Sequence, residues 1–241
     1  MKSESGLKRA SDLNDTDEPI FQALMQAMVE RQLQPGSKLP EEALADVFGV
    51  SRTGIRKVLT RLAAVQMVVL TPKRGAQVAT PSREEAQDIF RTRELIECAN
   101  FPAVLAHCQP RHLAALEKLN RQEQQAHDER NGPAAIRLSA EFHIQLQAIA
   151  GNQVLTGIVT RLAQRSSLVI AAWGTPWQQG CRCDDHDRLI SLLRQNALVP
   201  LTEAMQQHFA HIVASLHFER GGETLPDFAS LFAGFGGTND R

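Results

Sequence analysis

The stretch that decides the fold of the N-terminal part is residues 39–62, LPEEALADVFGVSRTGIRKVLTRL. Pro40 and the two acids after it suit the first turn of a helix, because proline lacks the N–H and acids favour the positive end of the helix dipole. Gly49 interrupts the pattern, and Ser51 is then a candidate N-cap. The helix that follows has one apolar face, formed by Ile55, Val58, Leu59 and Leu62. The stretch therefore predicts two helices joined by a tight turn.

The flanking residues extend this unit in both directions. Upstream, residues 18–32 carry Ile20, Leu24 and Met28 at a spacing of four, which predicts an amphipathic helix. Downstream, two short β-prone runs, residues 67–70 and 76–79, are separated by the loop Thr-Pro-Lys-Arg-Gly. Residues 18–80 thus predict helix, helix, turn, helix and basic hairpin, the order of a winged helix-turn-helix domain.

Charge is distributed unevenly along the chain. The net charge is −1, yet no acidic residue occurs between Asp46 and Glu84, where seven basic residues lie. Such a local cationic segment indicates a polyanionic partner. The exposed face of the third helix and the tip of the hairpin provide candidate DNA contacts at Arg52, Thr53, Arg56, Lys73, Arg74 and Gly75. Arginine can bond guanine O6 and N7, whereas cations on a wing reach phosphates. Gly54 costs this helix about 1 kcal/mol relative to alanine and permits close approach to DNA.

Composition excludes several classes of protein. Hydrophobic residues make up 43% of the 241 residues, aromatic residues only 5%, and tyrosine is absent, which favours a mainly α fold. Four cysteines in a chain of this length do not form a disulfide framework. Apolar runs are too short to span a membrane, and the polar residues 1–17, which we expect to form a disordered tail, lack the apolar core of a secretory signal. We expect a soluble cytoplasmic protein with no membrane partner.

The second part of the chain is helical almost to its end. Turn signals separate segments near residues 84–107, 110–130, 133–150, 152–173, 184–195 and 198–219. Residues 81–220 are therefore expected to form an all-helical antiparallel bundle of about six helices. Residues 221–241 form a C-terminal tail that either docks on the bundle or covers a partner subunit.

The N-terminal pattern resembles the GntR superfamily of bacterial transcription regulators. The landmarks are Pro35-Gly36, Leu39-Pro40-Glu41, Leu44-Ala45, Gly49-Val50-Ser51-Arg52-Thr53, Ile55-Arg56, Leu59, Leu62, Arg74-Gly75 and Val78. The resemblance places the family's DNA contacts on Ser51, Arg52, Thr53, Arg56 and Gly75. Two residues depart from the family pattern: Gly54 stands where proline is frequent, and Gln66 where glycine is usual.

The helical part resembles the FCD ligand-sensing domain of the FadR-type branch. The resemblance rests on Arg93 with Glu97, Glu141-Phe142-His143, Ala150-Gly151-Asn152, Asp185-His186 and Ala204-Met205 with His208. It places His143, His186 and His208 at the family's metal-ligand positions, with Ser139 where the family has an aspartate. Three histidines suit zinc or nickel. A metal would then be completed by water or an effector oxygen, or be held weakly, or be replaced by direct effector binding to these residues.

Other candidates in the helical part have weaker patterns. Arg93 could pair with an effector carboxylate or lie on a solvated helix face beside Arg91. Cys181 and Cys183 could add a soft ligand or a redox sensor, although reduced thiols in a solvated loop fit as well. Trp173 and Trp177 are expected to be packing residues. The remaining histidines are expected to be structural: His107, His112, His127, His211 and His217.

These features favour a metabolite-responsive transcription regulator rather than an enzyme. A homodimer on palindromic operator DNA is expected, because one winged domain binds weakly by itself. Repression is the commoner mode in the resembled family. One alternative is a metal-dependent enzyme with a three-histidine zinc centre, for which only Glu141 offers a general base, two residues from His143. Another is an architectural DNA-binding protein without an effector, which leaves the histidines unexplained.

Overall fold

The computed structural model describes residues 5–174, 183–218 and 227–233, with backbone alone for residues 5–16 and 183. The chain divides into two compact units. The first comprises Met1–Thr80 together with Gly222–Arg241, and the second comprises Pro81–Gly221.

The first unit contains three helices followed by a two-stranded hairpin and, from the end of the chain, one short helix. Their bounds are α1 Ser5–Val29, α2 Glu41–Phe48, α3 Arg52–Ala64, β1 Val68–Thr71, β2 Gly75–Val78 and, last in the chain, α10 Phe228–Leu231. The core is apolar and fully buried, and it includes Leu24 and Met28 of α1, Leu44 of α2 and Ile55, Val58, Leu59 and Leu62 of α3. The predicted apolar stripes are thus the faces on which the three helices pack.

The hairpin that follows α3 is antiparallel. Its register pairs Val68 with Val78 and Thr71 with Gly75. The Arg74 N–H bonds the carbonyl oxygen of Thr71 at 3.0 Å, so a tight turn closes the hairpin. Lys73 in this turn has φ 65°, and a positive φ after proline is the pattern of a type II turn. The wing predicted from the sequence is confirmed.

Both ends of the chain differ from the sequence expectation. The helix α1 begins at Ser5, within residues 1–17 that we expected to be a disordered tail. The polar composition of these residues hid the helix, because periodicity is visible only where apolar residues recur. At the other end, Phe232 is buried, and its ring centroid lies 4.8 Å from that of Phe48 in α2. The described part of the C-terminal segment therefore packs on the first unit.

The second unit is built from six helices: α4 Arg83–His107, α5 Pro110–Asp128, α6 Gly132–Ala148, α7 Gln153–Trp173, α8 Cys183–Arg194 and α9 Leu198–Ala214. Side chains that accept a backbone N–H cap several of them, as Ser82 does for α4 and Asn152 for α7. Neighbouring helices close a ring in the order α4, α9, α8, α5, α6 and α7, with a further contact across the ring between α4 and α6. Side chains from facing helices therefore meet in its interior.

The interior of this bundle is unusually polar. Apolar side chains such as Phe90, Phe101 and Phe209 are buried there, but so are charged and polar residues on five of the helices: Arg93, Glu97, Asn100, Glu123, His143, Gln147, His186 and His208. A buried charge is costly unless it is paired, so these buried polar residues mark a candidate ligand site. Among the described residues, none of the helices has the length and apolar character of a membrane span.

Candidate functional site: a nucleic-acid face and a buried histidine cluster

The N-terminal end of α3 presents polar side chains to solvent. The Ser51 hydroxyl caps the helix by accepting the Gly54 N–H at 3.2 Å. Because Ile55 and Val58 are fully buried on the opposite side, Arg52, Thr53 and Arg56 point outward and are exposed. The helix thus offers two arginines and a threonine on the face that a recognition helix turns toward the major groove.

The wing lies beside this face. Arg52 shares one cleft with Lys73, Arg74 and Gly75 of the hairpin and with Lys38, next to the start of α2. Gly75 has φ 84°, a conformation that side chains other than glycine adopt at a cost. The structure therefore brings together the candidate DNA contacts of the helix and of the hairpin within a single domain.

Arg56, one of these candidates, already has a side-chain partner within the domain. Its Nε and Nη2 atoms donate to the two carboxylate oxygens of Glu41 in α2, at 2.9 and 2.6 Å. The hydrogen bond from Arg56 lowers the pKa of Glu41 and raises the pKa of Arg56. The sequence pattern predicts Glu41 only as a helix-start residue, because its ion pair depends on a contact between residues 15 apart.

The three histidines identified from the sequence converge in the bundle. His143 lies on α6, His186 on α8 and His208 on α9, and all three are buried. One ring nitrogen from each lies within 4.8 Å of the others. Three imidazoles on separate helices at this spacing can bind one metal ion.

Each of the three rings has a carboxylate at its Nδ1 atom. The contacts are His143 with Glu97 at 2.8 Å, His186 with Glu123 at 2.8 Å and His208 with Asp185 at 3.3 Å. A carboxylate at Nδ1 favours a proton there and directs the lone pair of Nε2 away from it, an arrangement typical of metal-binding histidines. Glu97 is part of the sequence pattern with Arg93, whereas Glu123, in a polar stretch of α5, was not predicted from the sequence.

Charge balance in the cluster also favours a cation. Arg93 supplies one positive charge and the three carboxyl groups, when ionised, supply three negative ones. With neutral imidazoles the sum is two negative charges in a mostly buried site, which a divalent ion would neutralise. The donor set and the charge therefore both fit a divalent metal.

Burial controls the protonation of the cluster. It lowers the pKa of His143 well below 6.5, with the charge of Arg93 contributing, and lowers the pKa of His208 to about 4. Burial also raises the pKa of Glu97, although Arg93 opposes this. Burial by itself would raise the pKa of Asp185, but hydrogen bonds from His208 and His211 outweigh it and lower that pKa to about 2. His208 is therefore neutral at physiological pH, as a metal ligand must be.

Arg93 lies next to the histidines and is 3% exposed. The alternative of a solvated helix face is therefore wrong for this residue. Its Nε donates to Glu97 at 2.8 Å and its Nη1 to the Ser166 hydroxyl at 2.7 Å. Its Nη2 is buried and finds no hydrogen-bond acceptor among the described residues. One strong donor thus remains for an oxygen that the described side chains do not supply.

An amide pair continues the polar seam one turn farther along α4 and α6. Asn100 Nδ2 donates to Gln147 Oε1 at 2.9 Å, and the Nε2 of the buried Gln147 has no acceptor in the described part of the chain. Sequence analysis missed both residues. The signal that could have found them is their spacing, because Asn100 follows Glu97 by three positions and Gln147 follows His143 by four, which places each on its partner's helix face.

Of the remaining candidates, some lie on the same helices as the cluster histidines and others lie outside the described residues. Ser139 is half-buried on α6, one turn before His143. Glu141 accepts a hydrogen bond from Gln145 on its own helix. His211 is half exposed and donates to Asp185, so it is linked to the cluster through that carboxylate. Cys181 and Trp177 lie outside the described residues, and of Cys183 only the backbone is described.

Comparison with known proteins agrees with this division. Residues 16–78 match the family of bacterial regulatory proteins called the gntR family, and residues 88–211 match the FCD domain. The transcriptional regulator McbR of Escherichia coli K12 is 25% identical over 130 residues, which are 54% of this chain and 59% of McbR. The match thus spans less than two thirds of that relative. The transcriptional repressor RspR of the same organism is 25% identical over 155 residues, 63% of this chain and 68% of RspR.

Solved structures show the same fold. The structure of E. coli McbR aligns with a TM-score of 0.73 at 18% identity, covering 83% of this chain and 95% of that one. A GntR regulator from Rhodococcus sp. RHA1 aligns with a TM-score of 0.74 at 15% identity, covering 82% and 95%. These relatives are transcription regulators, so the zinc-enzyme alternative is not supported. The chain therefore belongs to the family of proteins with an FCD domain, and its N-terminal residues 16–78 match the gntR family of bacterial regulatory proteins.

Proposed function

We propose that the outward face of α3 and the wing form the operator contact of this regulator. The residues are Ser51, Arg52, Thr53 and Arg56 on the helix and Lys73, Arg74 and Gly75 on the wing. The supporting observation is that Arg52 and the wing cations line one exposed cleft while the apolar side of α3 is buried. Arg52 reads base edges and Lys73 contacts a phosphate in this assignment.

The experiment is a selection from a randomised duplex library, followed by fluorescence anisotropy on a recovered duplex and on a scrambled duplex of equal composition. The wild-type protein is expected to prefer the recovered duplex, and Arg52→Ala to abolish that preference with the fold intact by circular dichroism. Arg121→Ala, which removes an exposed arginine from α5, is the matched control. An unchanged preference in Arg52→Ala contradicts the groove assignment.

We propose further that His143, His186 and His208 hold a divalent metal, zinc or nickel, through their Nε2 atoms. The support is the carboxylate at each Nδ1 and the negative charge of the buried groups. Ser139 replaces the aspartate expected from the family, and a hydroxyl is a weak ligand beside a carboxylate. A bound cation would therefore keep coordination positions open to water or to an effector oxygen.

The effector that fits this interior is a small anion such as a carboxylate. Arg93 Nη2 and Gln147 Nε2 are buried donors without acceptors in the described chain, and buried donors are normally satisfied. A carboxylate could bond the guanidinium while another oxygen meets the metal or the amide. Ser139 and the three histidines complete the proposed effector site with Arg93.

A homodimer on a palindromic operator is the assembly that we propose, with repression as the mode of control. Symmetric proteins read symmetric sites, and two winged domains bind more tightly than one. RspR, which is similar over most of this chain, is named a repressor. Because the DNA of a bacterium lies in its cytoplasm, that is where this regulator acts. Effector binding changes operator affinity through coupling between the two sites.

A further inference from the structure

An ion pair joins the first turn of α2 to the exposed face of α3. Arg56 Nε donates to one carboxylate oxygen of Glu41 at 2.9 Å, and Arg56 Nη2 donates to the other at 2.6 Å. The Arg56 side chain remains 63% exposed and that of Glu41 26%. The pair therefore lies at the surface that the proposed operator contact uses, and it constrains Arg56 without burying it.

The geometry decides which donors of Arg56 remain available. A guanidinium carries five N–H groups in one plane, and the carboxylate occupies the edge formed by Nε and Nη2. Both N–H groups of Nη1 and the outer one of Nη2 remain. One N–H of Nη1 and the outer N–H of Nη2 form the outer edge, which can span two acceptors such as O6 and N7 of guanine. Without the carboxylate the side chain could rotate and present either edge to a base or to a phosphate.

We propose that Glu41 is a positioning residue that sets the sequence specificity of DNA binding by holding the outer edge of Arg56 toward the major groove. The inference rests on the proposed DNA contact of Arg56. The same carboxylate places a negative charge near the DNA phosphates and so opposes binding to every sequence. Glu41 therefore increases the preference for one DNA sequence over others and decreases the affinity for all of them. Loss of a merely structural residue would lower both the preference and the affinity.

Glu42 is a matched control. It stands in the same first turn of α2 and carries the same charge, and it is exposed without an ion pair in the described structure. Glu42→Gln thus removes an equal charge from nearly the same place and leaves the Arg56 fork intact. Glu41→Asp is a second useful variant, because it keeps the charge but shortens the side chain by one methylene.

The test compares a duplex recovered by the wild-type protein from a randomised library with a scrambled duplex, using fluorescence anisotropy. The proteins are the wild type, E41Q, E41D, E42Q, R56A and E41Q/R56A, each checked for folding by circular dichroism. E41Q is expected to lower the ratio of the two affinities by about tenfold, within the range of a bidentate arginine–guanine contact, while binding the scrambled duplex at least as tightly. E41D is expected to lower the ratio without that gain, and E42Q to leave it unchanged.

The double variant separates the proposal from a general effect of charge. In the R56A background, E41Q is expected to cause no further loss of discrimination. If E41Q leaves the ratio of the two affinities unchanged, or lowers it by the same factor in the wild-type and R56A backgrounds, the role of Glu41 is overturned. The proposed operator contact of Arg56 is not affected by either result. A wild-type protein without preference, or one whose preference is unchanged in R56A, overturns the proposed DNA contact of Arg56 itself.

Discussion

His143 and His208 meet nitrogen to nitrogen, with their Nε2 atoms 3.0 Å apart. Two lone pairs would repel at this distance, so a proton or a cation must lie between them. Glu97 and Asp185 bond the Nδ1 atoms at the outer ends, which makes a chain of three hydrogen bonds. Two neutral rings supply two of the three protons that this chain needs, and burial, which raises the pKa of Glu97, favours uptake of the third.

Metal uptake should therefore displace this extra proton. Zinc binding at about pH 7 is expected to release about one proton per chain, because a cation on the two Nε2 atoms replaces the shared hydrogen. Isothermal titration calorimetry in buffers of different ionisation enthalpy measures the number. His143→Gln is expected to abolish the release. Zinc binding with no proton released would mean that the ion does not separate these two nitrogens.

The metal content itself is a direct test of the cluster. Untagged protein is expected to contain about one zinc or nickel ion per chain by elemental analysis, and His186→Ala to lose it, because three ligands are the minimum of a stable zinc site. His107→Ala is the control, since His107 is exposed and bonded within its own helix. Equal metal content in wild type and His186→Ala would remove this residue from the site.

Sequence reasoning located the histidines but not the residues that orient them. The positions of His143, His186 and His208 could be matched because the resemblance covers each motif separately. The partner of His186 is Glu123, which lies 63 residues away on another helix. Neither periodicity nor local spacing predicts a contact over that separation in sequence. Glu123 stands in a polar stretch of α5, where a carboxylate indicates a solvated face. Only tertiary packing reveals that it is buried.

The winged domain was easier to predict, since its signals are local. The apolar stripe of α3, the Ser51 cap and the hairpin loop each occupy a few consecutive residues. Gln66 illustrates how a departure from the family pattern carries structural information. It has φ 60°, a left-handed conformation that explains why glycine is usual there. The packing of Phe232 on α2 could not be predicted, because it joins residues from opposite ends of the chain.

Acid should destabilise the metal-free protein through His208. Its pKa falls from 6.5 in the unfolded chain to about 4 in the folded protein, so between these values the unfolded state binds the proton and the folded state does not. Stability is lost as the pH falls through this window, by on the order of 3 kcal/mol for this residue. Urea unfolding of chelator-treated protein at about pH 7 and about pH 4 measures the loss.

Two variants isolate the contribution of His208. His208→Gln is expected to reduce the pH dependence to the part that the buried His143 contributes, whereas His217→Gln, at an exposed position, is expected to keep that of the wild type. Parallel pH profiles for wild type and His208→Gln would show that the buried ring does not resist protonation.

Lys73 at the tip of the wing should contribute affinity without specificity. Lys73→Ala is expected to weaken binding to selected and scrambled duplexes alike and to lower the slope of log affinity against log salt by about one, since one phosphate contact is lost. The measurement is fluorescence anisotropy over a range of salt concentrations. Lys118→Ala, which removes an exposed lysine from α5, should leave the slope unchanged. An unaltered slope in Lys73→Ala would mean that the wing lysine does not contact phosphate.

Gly54 gives a test in which stability and DNA binding move in opposite directions. A Cβ atom at this position would lie 3.6 Å from Ser51 Oγ and 3.9 Å from Val50 Cβ, which are ordinary contacts. Gly54→Ala should therefore raise the stability of α3 by up to about 1 kcal/mol. If the glycine serves close approach to the duplex, the same methyl group lowers DNA affinity. Gly157→Ala in α7, where a Cβ also has room, should stabilise the protein and leave DNA affinity unchanged. Thermal unfolding measures the stability, and fluorescence anisotropy measures the DNA affinity. Unchanged affinity in a stabilised Gly54→Ala would show that the recognition helix does not need this glycine. A loss of stability would show that the Ser51 cap cannot accommodate the methyl group.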